Sequence, residues 1–197
     1  MNNSVAFILF GFLLTAWTCI DETAEELHTN TIKKEVRMTY TIPAGSHYST
    51  ESSYQPLNVS SIKFKARFDS SAIYQTSDLR NQGDINKLYG MSDCGSTHQN
   101  NSARFGWRWF ENSLQVWAYA YVNGDRKMTF IRNVALDSTA TYELQFTNST
   151  YTFRVDEVVV SLPRHCAGQA KGYKLYPYFG GDEPAPHAIR IDIEEVK

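Results

Sequence analysis

Beyond residue 35, hydrophobic and polar residues alternate with a period of two along most of the chain. Successive side chains of an extended strand point to opposite faces, so this alternation predicts strands with one buried face. Val36, Met38, Tyr40 and Ile42 alternate with Arg37, Thr39 and Thr41 until Pro43-Ala44-Gly45 closes the segment. Ile62, Phe64, Ala66 and Phe68 interleave with Lys63, Lys65 and Arg67. Phe105, Trp107 and Trp109 interleave with Arg104, Gly106 and Arg108, and Leu114, Val116, Ala118, Ala120 and Val122 with Gln115, Trp117, Tyr119 and Tyr121. Asn123-Gly124 is a strong hairpin signal, and a strand through Met128 and Phe130 follows it. Tyr142–Phe146, Tyr151–Val155 and Val158–Leu162 continue the pattern, and two last strands cover Gly172–Phe179 and Ala188–Glu195. No segment of this region keeps a helical period. About ten or more short strands joined by hairpins predict an all-β protein, an antiparallel β-sandwich over residues 35–197 with no major helix. Ser46–Ser60 and Thr76–Asn101 are expected to be long loops.

The first residues follow another pattern. Val5–Trp17 carries no charge, yet as a helix it would span only about 20 Å, short of a bilayer core. Residues 1–18 therefore read as an export signal. The cysteine that follows, Cys19, resembles the lipidated cysteine of a bacterial lipobox, although Trp17 stands where a small residue is usual; a plain secretory signal is the other reading. Residues 19–34 are acidic, lack apolar periodicity and read as a tether. The expected address is export, with a lipid anchor at the outer membrane or cell surface, or else a periplasmic or secreted protein. Membrane contact would come only through that anchor.

A length of 197 residues allows one domain plus a short appendage. The 19 basic and 21 acidic residues give no general field towards nucleic acid, which is excluded as an expected partner. With Cys19 assigned to the anchor, Cys94 and Cys166 remain. In an oxidising compartment they are expected to pair, closing a loop of about 70 residues worth about 3–4 kcal/mol; two buried thiols are the alternative. No CxxC or HxxxH spacing points to a transition metal.

The run Tyr142–Leu162, YELQFTNSTYTFRVDEVVVSL, resembles the paired hairpins of the concanavalin A-like jelly-roll superfamily, with Glu157 where glycine is usual. That superfamily includes lectins, laminin G-like modules, glycoside hydrolases and alginate lyase-like enzymes. The resemblance implies a jelly-roll sandwich and a carbohydrate or polysaccharide partner.

Candidate site residues follow from the strand faces. Opposite the small aliphatic face of Leu114–Val122 stand Gln115, Trp117, Tyr119 and Tyr121. Exposed rings with polar tips suit the apolar faces and hydroxyls of sugars. Tyr176 and Tyr178 repeat the pattern, Arg104 and Arg108 share a face with Gly106 between them leaving room for a ligand, and Arg190 lies on the last strand. Two readings stand for these rings and arginines: a glycan groove, or a second apolar layer covered by the long loops. The chain carries partial likenesses to two enzyme signatures. Arg190-Ile191-Asp192-Ile193-Glu194 has the alternation of the laminarinase Glu-x-Asp-x-Glu strand but an arginine at the nucleophile position, and reads as an ion-pair ladder. Arg104-x-Gly106-x-Arg108, Gln115-x-Trp117 and Tyr178-Phe179 follow the order of the alginate lyase pattern but lack its glutamate and its histidine base. A lyase would rest on Tyr178, Arg108, Gln115 and His187, with His98 as another histidine of the right type. No organic cofactor is expected. Asp182 and Glu183 in the Gly180–His187 loop are of the kind that hold a structural Ca²⁺, or else belong to a solvated turn. Carbohydrate binding is the expected function and a polysaccharide lyase the runner-up, with a structural surface module as a third class.

Overall fold

A computed structural model describes residues 37–196. The export signal, Cys19 and the tether lie outside the described residues. Among the described residues, twelve strands form two antiparallel sheets of six. Across the first sheet run β1 (Arg37–Ile42), β12 (Ile189–Glu195), β3 (Ser61–Phe68), β8 (Thr139–Phe146), β9 (Thr150–Val155) and β10 (Val158–Pro163). Across the second run β2 (Pro56–Val59), β11 (Ala170–Leu175), β4 (Asn86–Ser92), β5 (Ser102–Phe110), β6 (Ser113–Val122) and β7 (Asp125–Val134). Helical structure among the described residues amounts to two short 3₁₀ turns, Ser70–Ala72 and Leu79–Gly83. The fold is the all-β sandwich that the alternation predicts.

The apolar members of each alternating series meet between the sheets. Phe64 of β3 stacks on its cross-strand partner Tyr142 of β8 at 5.0 Å, and Phe105 of β5 meets Phe64, Tyr142 and Phe153 edge-on. Removing rings of this size from water supplies about 1.5–3 kcal/mol each, which makes the period-two pattern enforceable. The turn chemistry agrees with it. Asn123 and Gly124 both have positive φ, as a two-residue hairpin turn with matching twist requires. At Asp156-Glu157 only Asp156 has positive φ, so a side chain is tolerated at 157.

Two strands run through segments expected as loops. β4 (NKLYGMS) is buried on both faces except at Lys87, so it shows an apolar run in place of alternation. β2 is a four-residue edge strand that opens on Pro56. β11 stops at Leu175, earlier than the alternation to Phe179 suggests. Pro177 has no N–H for a ladder, and Tyr178 instead exchanges one pair of backbone bonds with Lys87, at 2.8 and 3.0 Å.

Cys94 and Cys166 are bridged, as expected, with their Cα atoms 5.7 Å apart. Beside them, Arg164 and Asp93 form an ion pair at 2.7 Å with both side chains fully buried. The Asp93 carboxylate also accepts from the amides of Cys94 and Lys171 and from the Tyr151 hydroxyl, and the Arg164 guanidinium donates to the carbonyls of Thr147 and Gly168. This knot fixes the end of β4 and the start of the 94–101 loop.

Candidate functional site

The outward face of the second sheet carries the residues that the sequence singles out on β5 and β6, but one side chain divides them. A Cβ at Gly106 would lie 2.4 Å from the Ile85 side chain, so Ile85 fills the space that the sequence suggests for a ligand. Gly106 is needed for close packing of its own chain, and the expectation of ligand room there is corrected.

On one side of Ile85, Arg108 lies over the Trp117 ring at 4.7 Å and is tied by Nε to Gln115 Oε1 and by Nη1 to the Gly83 carbonyl, both at 2.7 Å. Phe130 packs edge-on against Trp117. Arg108, Gln115 and Trp117 are thus joined to one another and to the Leu79–Gly83 turn, the loop-covered layer that was the alternative for this face. Trp117→Ala would remove a half-buried ring and the platform of Arg108. The expected cost is about 3 kcal/mol, a fall in Tm on the order of 10 °C in a thermal melt, with saccharide affinity unchanged.

On the other side lies an open cleft of about 460 Å³. Its base is the registered pair Arg104 and Tyr119, with the guanidinium 5.6 Å from the ring centre. Gly90 of β4 faces Arg104 across the ladder, and a Cβ there would come within 2.5 Å of the Arg104 backbone, so only glycine lets β4 lie this close. Lys87 extends over the Tyr119 ring at 4.9 Å and donates to the Ile85 carbonyl at 2.7 Å. Tyr178 stands above, stacked on His47 at 5.4 Å and met edge-on by Tyr48 at 5.0 Å. Tyr121 and His98 complete the wall, with His98 Nδ1 3.0 Å from the Tyr173 hydroxyl.

Burial sets the protonation of these groups. Desolvation, helped by the charge of Arg104, lowers the Lys87 ammonium to about 8. The same two causes lower His98, and burial raises Tyr119 to about 12. No residue lining the cleft is an aspartate or glutamate.

Several expected site residues lie elsewhere. Arg190 belongs to the other sheet, where its guanidinium meets Asp69 at 3.1 Å. Its neighbours Asp192 and Glu194 pair with Arg67 at 3.3 Å and Lys65 at 3.0 Å, an ion-pair ladder across β12 and β3. Arg190 is thereby corrected as a member of the site, because alternation gives a face and not the sheet that carries it. His187 bonds the Ser71 carbonyl and does not line the cleft. Tyr176 lines the cleft but also packs on Tyr40 and Tyr89 at the edge of the core, since the backbone turns after Leu175. The Glu183 carboxylate accepts from the amides of Ser77 and Asp78 and from the Asn81 side chain, fastening one loop to another, so of the two carboxylates considered for Ca²⁺ that of Glu183 is engaged within the chain. Lys87 and Tyr48 were not found from sequence, because both lie in segments expected as loops.

Compared with protein-family models and with curated proteins, the sequence matches none. Its structure is similar to solved ones. SCLam, a non-specific endo-β-1,3(4)-glucanase from family GH16, is 9% identical, with a TM-score of 0.50 over 82% of this chain and 70% of that one. The fold that the two share is an antiparallel β-sandwich of the jelly-roll kind. The GH16 protein of a Bacteroides ovatus mixed-linkage glucan locus, in complex with G4G4G3G product, is 9% identical, with a TM-score of 0.49 over 83% of this chain and 82% of that one. Xenopus laevis galectin-Ib is 8% identical, with a TM-score of 0.41 over 82% and 97%.

Proposed function

We propose that the protein is an exported carbohydrate-binding jelly roll whose ligand occupies the Arg104–Tyr178 cleft. One observation carries the reading: Tyr48, Tyr119, Tyr121 and Tyr178 surround an open cleft whose remaining polar groups are cationic or neutral donors. Tyrosine rings offer flat apolar area and a polar edge together, which matches the alternating C–H and hydroxyl surfaces of a sugar. The glucanase that shares this fold is, by its name, a carbohydrate-active protein, which adds to the reading. Hydrolysis by the usual carboxylate pair finds no support, because that chemistry needs two acidic side chains facing the sugar and the cleft lining contains none.

Elimination by a lyase is the second reading, favoured because His98, Tyr178 and Arg104 line one cleft. Burial and the charge of Arg104 lower His98 and so favour its neutral imidazole, the form that accepts a proton.

The test displays the full chain on cells and measures binding of labelled oligosaccharides. Tyr178→Ala is expected to lower affinity about tenfold with little change in Tm, as loss of one surface ring does. Cys19→Ser is expected to move the binding activity from cells to medium, as lipid anchoring requires. Unchanged affinity in Tyr178→Ala would place the ligand elsewhere, and a rise in ultraviolet absorbance from unsaturated product would move the reading to a lyase.

A further inference from the structure

Among the described residues two arginines are buried, and they are treated oppositely. Arg164 is matched by Asp93 and two carbonyls. Arg104 is only 8% exposed, yet no ion pair of it occurs among the described residues and its Nε has no hydrogen-bond partner. A guanidinium withdrawn from water with donors unmatched is strongly unfavourable. The Tyr119 ring compensates only in part, since a cation–π contact contributes less than an ion pair with good geometry. Lys87 adds a second cation nearby, and each disfavours the charge of the other. Asp84 favours the Lys87 charge, but among the described residues no carboxylate pairs with Arg104, and folding alone gives no reason to bury that guanidinium uncompensated beside a second cation. A bound anion would relieve both.

We propose that the cleft recognises an acidic saccharide, with a carboxylate or sulfate of the ligand held by Arg104 and Lys87 and the sugar ring against the tyrosines. The inference rests on the carbohydrate reading above and narrows it to one chemical class. Arginine presents a planar pair of donors that fits either oxyanion, so uronate and sulfate share the required chemistry.

The site also implies a pH dependence. Lys87 is influenced by Arg104, Arg126 and Asp84 and lies against the Tyr119 and Tyr178 rings. Its charge is lost as pH rises through about 8 while Arg104 stays protonated. Affinity for an anion is expected to fall several-fold between about pH 7 and 9, and in Lys87→Met that dependence should disappear.

Calorimetry on the full chain would compare three probes: an oligouronate, the same oligosaccharide with its carboxyls reduced to alcohols, and a sulfated galactan oligosaccharide. The expected result is that at least one acidic probe binds and the reduced one binds at least about tenfold more weakly. Arg104→Gln should weaken acidic binding about 10- to 100-fold, as loss of a charged hydrogen-bond pair does. Arg190→Ala, on the other sheet, should leave it unchanged. Lys87→Met, a partly exposed position, carries the same prediction with a smaller loss if Arg104→Gln does not fold. Whichever acidic probe binds identifies the oxyanion. Equal binding of the reduced probe, or native-like acidic binding by both variants, would overturn the acidic ligand and leave the carbohydrate reading intact. Absence of binding by all three probes, the neutral reduced one included, would overturn both.

Discussion

Asp93→Ala is expected to destabilise the protein by about 3–5 kcal/mol, the largest effect of any single polar substitution argued for this fold. The reason is what remains after the change. Arg164 would keep its charge in a fully buried site, losing the carboxylate that its Nε meets at 2.7 Å. The Tyr151 hydroxyl and the amides of Cys94 and Lys171 would lose their acceptor as well. In thermal unfolding this corresponds to a fall in Tm on the order of 10 °C or more for a domain of this size. A paired variant separates the origin of the effect. Asp93→Asn with Arg164→Met retains an acceptor for the two amides and removes the stranded charge, so it should recover a large part of the loss. If the double variant is as unstable as Asp93→Ala, the penalty is not that of an unpaired buried charge.

Legibility from sequence follows burial geometry. β3, β6, β8 and β9 were evident because each has one face in the core and one towards solvent or polar partners, which is what alternation reports. β4 was missed because its two faces are both covered, by the opposite sheet and by the cleft residues. That omission cost the site its second cation, Lys87. The facing of Arg104, Tyr119 and Tyr121 was readable from period two, and their juxtaposition with Tyr178 followed only from strand order, since β11 lies next to β4 and not next to β6. The same limit explains Arg190: its face was correct and its sheet was not. Gly106 shows a third kind of limit. A glycine between two arginines has the same appearance in sequence whether a ligand or Ile85 fills the gap, and only the three-dimensional contact distinguishes them.

The second large effect concerns the disulfide. Replacing Cys94 and Cys166 by serine is expected to lower stability by about 4 kcal/mol, because the bridge closes a loop of 72 residues and its main action is to restrict the unfolded chain. The native structure should change little, since Asp93 and Arg164 flank the bridge and hold the same two segments together without it. Near-ultraviolet circular dichroism and saccharide affinity should therefore stay close to native while Tm drops on the order of 10 °C. The 94–101 loop gives a sharper measure, because it starts at Cys94 and carries His98 to the cleft wall. If the bridge acts through the unfolded state, hydrogen exchange of this loop should rise only as far as global stability falls. Selective loss of protection at His98, or loss of affinity at temperatures where the variant is fully folded, would show that the bridge positions the cleft itself. Combining the serine pair with Asp93→Ala should then cost more than the sum of the separate changes, because either connection alone can hold β4 to the segment around Arg164 and the combined variant has neither.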